Sequence, residues 1–146
     1  MDNIKIGNKT EKSASSILRQ ERGFWVYNCP KSSTGAQPVD LIAIKGVKGT
    51  RLCKALFCDS KHVRTNEVSF KLERIEPNQW SSLQYLNDFA QVHVDNLGFI
   101  VEFERTGDYY WLPYAKALEM AKNGEKSINL NKLRLLEDML NDYDNQ

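Results

Sequence analysis

The sequence predicts an α/β domain in which helices pack on both faces of a central β-sheet. The length of 146 residues suits one domain, and no repeat or long linker divides the chain. Residues 37–62 form a predicted β-hairpin whose strands carry apolar side chains on both faces, as is typical of central strands. Apolar residues at helical spacing occur before and after this hairpin, and they predict the helices that pack on the sheet.

The composition is that of an ordinary globular protein. Charged residues make up 27% of the chain and the net charge is only +1, so binding to nucleic acid would depend on local basic patches. The three cysteines are an odd number, which favours free thiols in a reducing compartment. No apolar run approaches ~18 residues and no targeting segment is recognisable. We therefore expect a soluble, intracellular, cytoplasmic protein.

The first helix is predicted from Lys9 to about Arg22, because apolar residues recur there at helical spacing. Asn8 or Thr10 would cap it. The polar residues 1–8 before it are expected to form a loose arm or a short edge. A strand over residues 24–29 follows the helix.

The hairpin has a register that two separate signals support. If Asp40 and Asp59 are direct cross-strand neighbours, the turn must be centred between Gly49 and Thr50. Glycine at the first central position is what a type II′ turn requires, so the chemistry of the turn agrees with the pairing of the acids. The same register predicts two apolar cross-strand pairs: Ile42 with Phe57, and Ile44 with Ala55.

The chain after the hairpin alternates between extended and helical patterns. Residues 64–76 suggest an irregular extended segment. Pro77 lies at a favoured first-turn position of a helix that continues to about Ala90. Two strands, over residues 99–104 and 109–113, are joined by a glycine-containing turn.

The C-terminal part is predicted to be helical. Residues 114–122 read as a helix that ends at an Asn-Gly pair. A last helix is predicted over about 130–141, because four leucines fall on one helical face: Leu130, Leu133, Leu136 and Leu140.

Asp40, Asp59 and Lys61 are the candidate site at the open end of the hairpin. Side chains alternate along a strand, so Asp59 and Lys61 share a face. Two carboxylates about 4 Å apart repel by roughly 1–4 kcal/mol, and a divalent cation such as Mg²⁺ or Mn²⁺ removes that repulsion. The residues alone are equally consistent with a solvated strand end that carries a Lys–Asp ion pair.

Two groups of residues are candidates for contacts with a nucleic-acid backbone. One is the basic, hydroxyl-rich loop that includes Lys31, Ser32 and Ser33. The other is the hairpin tip with Lys48 and Arg51. An ordinary solvated loop and a solvated hairpin tip explain both groups as well.

The order of these parts resembles the PD-(D/E)XK nuclease superfamily, and most of all the Holliday junction resolvases of the archaeal and RecU-like kind. The resemblance rests on a helix with Glu11, the strand Gly23-Phe24-Trp25-Val26-Tyr27, Pro38-Val39-Asp40, Asp59-Ser60-Lys61, and a helix that opens with Gln79. It covers roughly residues 7–113. It implies a restriction-endonuclease-like core with a mixed β-sheet flanked by helices, followed by extra C-terminal helices over about 114–146, all in a single nuclease domain.

The resemblance also implies roles for the site residues. Asp40 and Asp59 would be ligands of Mg²⁺ or Mn²⁺, and Glu11 would complete the metal site directly or through water. Lys61 would orient a water or stabilise charge, and Gln79 would help to shape the site. The implied activity is that of a metal-dependent endonuclease that hydrolyses DNA phosphodiester bonds.

This sequence departs from the superfamily pattern at two positions, and two serines are weaker candidates for the site. Val39 separates Pro38 from Asp40, where many members have proline next to the acid, and Asp59 stands where glutamate is commoner. Ser32 and Ser33 lie where related resolvases carry a serine near the scissile phosphate.

The implied substrate is branched DNA, chiefly four-way junctions. A junction has two-fold symmetry and symmetric nicking needs two sites, so we expect a homodimer. Two alternatives stay open: a restriction- or repair-type nuclease on duplex DNA, and a non-catalytic DNA-binding module of the same fold.

Overall fold

A computed structural model of the protein describes residues 3–30 and 39–144. The helices are α1 (Asn3–Ser16), α2 (Pro77–Asp88), α3 (Tyr114–Lys122) and α4 (Leu136–Asp144). The strands are β1 (Trp25–Asn28), β2 (Leu41–Gly46), β3 (Cys53–Val63), β4 (Ser69–Lys71), β5 (Leu97–Phe103), β6 (Asp108–Pro113), β7 (Ser127–Asn129) and β8 (Arg134–Leu135). A π-helical turn, Ile17–Glu21, continues α1.

Six of the strands form one mixed sheet with the order β1-β2-β3-β5-β6-β8. Only β3 and β5 are parallel neighbours, and the other pairs are antiparallel. A parallel pair needs a crossover connection, and the segment with β4 and α2 supplies it. Strands β4 and β7 pair in a separate two-stranded sheet. The predicted mixed sheet flanked by helices is confirmed.

Each face of the main sheet carries its own hydrophobic cluster. On one face, α1 and α4 pack against side chains that include Leu41, Leu56 and Trp111. On the other face, α2, α3 and the small sheet cover side chains that include Phe99 and Phe103. Strands β2, β3 and β5 therefore lie between two apolar layers, as the hairpin sequence predicts.

The predicted hairpin register, centred between Gly49 and Thr50, is confirmed, and the predicted type II′ turn is wrong. Ile42 pairs with Phe57 and Ile44 with Ala55, in the register that sets Asp40 opposite Asp59. At the tip, the Thr50 amide donates to the Val47 carbonyl, which makes Lys48 and Gly49 the central residues. Gly49 has φ +79°, so glycine takes the second central position rather than the first.

The first helix begins earlier than predicted. Helix α1 starts at Asn3, so Asn8 and Thr10 lie inside it and Glu11 is not in its first turn. Thr10 is a typical capping residue, but here its buried hydroxyl donates to Glu102 on β5. A partner on the sheet thus replaces the backbone partner that a cap would use.

The predicted last helix over 130–141 is also wrong in its first part. Ser127–Asn129 is strand β7, Leu130–Lys132 is a 3-10 turn and Arg134–Leu135 is strand β8. Helical spacing of leucines cannot reveal these elements, because β7 and β8 form by pairing with β4 and β6, which lie far away in sequence.

The remaining elements agree with prediction. Helices α2 and α3 begin where expected, and α2 opens with a capping box in which Glu76 and Gln79 bind each other's backbone amides. The three cysteines are free thiols. None of the helices in the described ranges has the length and apolar character needed to cross a lipid bilayer.

Candidate active site

Asp40 and Asp59 lie side by side where β2 and β3 meet, and both are buried, with exposed fractions of 7% and 2%. The amide of Asp40 donates to Asp59 Oδ1 over 3.1 Å. In return, the amide of Ser60 donates to Asp40 Oδ2 over 2.8 Å. Each carboxylate is therefore held by a backbone N–H of the opposite strand, and the hairpin register fixes both orientations.

Lys61 points to the same face as Asp59 and is held by acceptors from outside the sheet. Its Nζ donates to Gln79 Oε1 over 2.8 Å and to the carbonyl of Arg74 over 2.9 Å. Burial lowers the pKa of the Lys61 ammonium, and the charges of Asp59 and Asp40 offset part of that effect. These two acceptors hold the ammonium on the face of the sheet that carries Asp59.

Gln79 reaches Lys61 because the start of α2 is fixed. Its Oε1 accepts from the amide of Glu76 over 3.0 Å as part of the capping box. The same oxygen accepts from Lys61. Pro77 at the first helical position favours this geometry, since it has no N–H that would need a partner. One side chain therefore links the helix start to the site.

Glu11 lies on α1. It is buried, and with Cys29 and Asn28 it lines a polar cleft between α1 and β1. Burial is the main cause that raises the pKa of the Cys29 thiol, and the negative charges of Asp40, Asp59 and Glu11 raise it further. The amide of Cys29 donates to the carbonyl of Asp40 over 2.9 Å, so the cleft that Glu11 lines borders the backbone that carries Asp40.

The chemistry of the donor set suits a hard divalent cation. Asp40 and Asp59 offer carboxylate oxygens in a buried setting, and such oxygens are what Mg²⁺ and Mn²⁺ prefer. Within residues 3–30 and 39–144, no three side chains of His, Cys, Asp or Glu come close enough together to form a metal site. The described structure therefore joins Asp40 to Asp59 but does not add Glu11 as a third clustered ligand.

Two of the residues predicted to contact a DNA backbone lie at the hairpin tip, far from this site, and three lie where the structure is not described. Lys31, Ser32 and Ser33 fall outside the described residues. Lys48 and Arg51 are exposed at the hairpin tip. Eight residues of extended chain separate Asp40 from Lys48, which is roughly 25 Å at the usual rise per residue. Contacts from the tip would therefore touch a part of a ligand remote from the acids.

Two contributions to the site were missed at the level of sequence. Ser60 binds Asp40 through its amide and also through its hydroxyl, over 3.3 Å. The sequence places the Ser60 amide next to Asp59. It does not reveal that this amide binds the carboxylate of Asp40 on the other side of the hairpin. Arg74 supplies a carbonyl to Lys61 and a guanidinium that donates to the carbonyl of His62. No local pattern connects Arg74 with β3.

No family model and no curated protein matches the sequence. A Holliday junction resolvase from the archaeal hyperthermophile Archaeoglobus fulgidus matches in structure with a TM-score of 0.62 and 11% identity, over 92% of this chain and 98% of the resolvase. A nuclease from a fusselovirus matches with a TM-score of 0.49 and 9% identity, over 96% of this chain and 91% of that one. The chain therefore has the fold of the archaeal resolvase, and at this identity the likeness concerns the fold alone.

Proposed function

We propose that the protein is a metal-dependent endonuclease of the PD-(D/E)XK superfamily that cleaves DNA. The observation that carries the proposal is the buried Asp40–Asp59 pair with Lys61 on the same face, at the meeting of two central strands. The acid–hairpin–acid-x-lysine order occurs on a fold shared with a Holliday junction resolvase. Motif, geometry and fold thus support one chemistry.

The residues of the chain have separate roles in this proposal. Asp40 and Asp59 hold Mg²⁺ or Mn²⁺, and Glu11 supports the site through water. The bound cation supplies a water of lowered pKa and positive charge beside the phosphate. Gln79 and the Arg74 carbonyl accept from Lys61 Nζ, which has three N–H groups, so a third N–H would donate to a water or a phosphate oxygen. Lys61 thereby orients the nucleophile or stabilises charge that develops on the phosphate.

A nicking assay tests whether the protein cleaves DNA and whether Asp40 and Asp59 are needed for cleavage. Labelled DNA is incubated with the purified protein and Mg²⁺ or Mn²⁺, with EDTA as the blank. Asp40→Ala and Asp59→Ala are expected to lower the rate more than ~100-fold, because even indirect partners of a metal site cost 10–100-fold. Asp108→Ala, an exposed aspartate at the start of β6, is the matched control and should keep full activity. Full activity of Asp40→Ala would sink the assignment of the site.

The preferred substrate in this proposal is a four-way junction, recognised by its shape and backbone. The same assay with a junction and a plain duplex of matched sequence should give paired nicks in the junction and slower cleavage of the duplex. Equal rates on both would favour a restriction- or repair-type nuclease. Mn²⁺ binding without cleavage of either DNA would favour a non-catalytic module.

The two-fold symmetry of a junction leads us to propose a homodimer. Sedimentation equilibrium should then give a mass of about twice 16.8 kDa. A single species at the monomer mass, across the concentrations that support junction cleavage, would contradict the dimer without touching the assignment of the acids.

A further inference from the structure

A polar cluster on the opposite side of β3 from Lys61 is not used by the proposed chemistry. Its centre is His62, whose ring is nearly buried, with 12% of the side chain exposed. The ring Nδ1 lies 2.8 Å from Glu102 Oε1, and the ring Nε2 lies 2.8 Å from Glu104 Oε2. Ionised carboxylates only accept hydrogen bonds, so each ring nitrogen faces an acceptor and the ring of His62 bridges the two glutamates.

The pKa values of Glu102 and Glu104 are both lowered, which agrees with their role as hydrogen-bond acceptors. Burial alone would raise the pKa of Glu102, but hydrogen bonds from His62, Thr10 and Tyr109 outweigh it and lower the pKa. Hydrogen bonds from Thr65 and His62 lower the pKa of Glu104. Both carboxylates are therefore favoured in the ionised form that accepts from the ring.

The cluster holds α1 through Thr10. The Thr10 hydroxyl donates to Glu102 Oε1 over 2.9 Å and lies 3.2 Å from the ring Nδ1 of His62. Tyr109 adds a second link, because its hydroxyl bonds to both Ser13 of α1 and Glu102. The bonds are directional, so they fix the rotation of the helix as well as its position.

This polar anchoring takes the place of apolar packing in one half of α1. Between Lys5 and Ser13, where side-chain burial is described, the buried side chains are Thr10 and Glu11 and none is apolar. The buried apolar residues of the helix, Ala14 and Leu18, lie in or beyond its last turns. The half of the helix that carries Glu11 therefore depends on hydrogen bonds for its alignment.

We propose that His62 is a positioning residue that orients Glu11 toward the site of the Asp40–Asp59 pair by clamping Thr10 onto the sheet. Successive helical residues are about 100° apart, so fixing Thr10 on β3 and β5 fixes the direction of its neighbour Glu11. His62 contacts neither acid of the pair, and its effect passes through α1. This role rests on the proposed function, because it acts through Glu11 on a bound cation.

Calorimetric titration with Mn²⁺ in the absence of DNA tests this role through a double-mutant cycle of His62→Gln with Glu11→Ala. Loss of an indirect partner typically weakens metal binding by 10–100-fold, so His62→Gln should raise the Kd for Mn²⁺ roughly tenfold. In the Glu11→Ala background the same change should alter Kd by less than about twofold, because the path through Glu11 is already removed.

Two further variants accompany the cycle: one removes a second member of the cluster, and the other is a control. Glu104→Gln changes an exposed side chain, so it should fold normally and raise Kd by a smaller factor, about threefold. His93→Gln, at the other histidine of the chain, is the matched control and should leave Kd unchanged. Thermal unfolding of every variant records stability separately from affinity.

The remaining outcomes separate a failure of the positioning role from a failure of the proposed function. An equal effect of His62→Gln on Kd with and without Glu11 would overturn the positioning role, and so would a loss of stability with unchanged Kd. If the unsubstituted protein binds no Mn²⁺, the proposed function fails and the positioning role fails with it. If it binds Mn²⁺ and Asp40→Ala abolishes the binding, the proposed site stands and only the cycle decides the role of His62.

Discussion

Gln79 couples the start of helix α2 to the placement of Lys61, because one oxygen accepts from both the Glu76 amide and Lys61 Nζ. Gln79→Ala removes both bonds, so we expect about 1 kcal/mol less stability and a cleavage rate at least ~10-fold lower. Gln79→Glu keeps the oxygen and should restore most of both. Urea unfolding and the nicking assay measure the two effects.

Gln84 provides the control for that experiment. It lies on the same helix and is exposed. Gln84→Ala should leave both quantities nearly unchanged, since alanine is well tolerated at an exposed helical position. A loss of cleavage in Gln79→Ala that Gln79→Glu does not restore would mean that the amide nitrogen, and not the shared oxygen, is the important atom.

Glu102 predicts how stability depends on pH. Its pKa in the folded protein is below the ordinary value of 4.5, because the bonds from His62, Thr10 and Tyr109 outweigh the effect of burial. A depressed carboxylate pKa adds stability that is fully present above the unfolded pKa and is lost as pH falls through the folded pKa. We therefore expect Glu102→Gln to make stability less dependent on pH below about 4.5.

Urea midpoints measured from pH 7 down to pH 3 compare Glu102→Gln with the unsubstituted protein. The stability difference between the two proteins should shrink as the pH falls. Glu73→Gln, an exposed glutamate on the 3-10 turn after β4, is the control. A difference that stays constant over the whole range would show that the Glu102 carboxylate contributes nothing through its ionisation.

Among the site residues, the sequence predicts those whose placement follows from strand geometry. The pairing of Asp40 with Asp59 needs only the hairpin register, and the shared face of Asp59 and Lys61 needs only alternation along β3. The contacts of Arg74 and His62 could not be predicted in this way. They join segments that no periodicity relates, so only the folded chain brings them together.

At the scale of elements, the contact between β5 and β6 depends on Gly98. A Cβ at this position would lie 2.6 Å from Trp111 Cζ2 and 2.7 Å from the carbonyl oxygen of Leu112. The second contact is with backbone, which cannot move without breaking the strand pairing. Gly98→Ala should therefore destabilise the protein by about 1–3 kcal/mol, as overpacked cores do.

Gly46 at the end of β2 is the matched control for Gly98. A Cβ there meets no heavy atom within 4 Å, and the backbone is not in the left-handed region. Gly46→Ala should thus be neutral or slightly stabilising, because it lowers the entropy of the unfolded chain. Chemical unfolding of both variants provides the measurement. Equal stability of the two would mean that Trp111 shifts without cost.

The elements also differ in how far the sequence determines them. The hairpin and α2 carry their own turn, cap and periodicity signals, and both form where predicted. Strands β7 and β8 are only three and two residues long. Such short strands exist because β4 and β6 offer unpaired edges, and that is a property of the assembled fold. Of the leucines of the predicted last helix, Leu130 lies in the 3-10 turn, Leu133 follows that turn, and only Leu136 and Leu140 are in α4.

At the scale of the whole molecule, one sheet separates two hydrophobic clusters that cannot form independently. Leu83 of α2 is fully buried in one cluster and Leu140 of α4 in the other. Strands β2, β3 and β5 belong to both clusters, since alternate side chains point into each. Loss of either layer would expose the strands that the other layer packs against. We therefore expect the two faces to unfold as one cooperative unit.

Leu83→Ala and Leu140→Ala test this cooperativity. Each should cost about 2–5 kcal/mol, as buried leucines do. Fluorescence of single-tryptophan variants provides a separate probe for each face, because Trp80 packs on the cluster of Leu83 and Trp111 lies in that of Leu140. Both probes should shift to the same lower midpoint in both variants. A midpoint that falls only for Trp111 in Leu140→Ala would instead make α4 a separately unfolding layer, and α4 would then be an addition to the core of the fold rather than part of it.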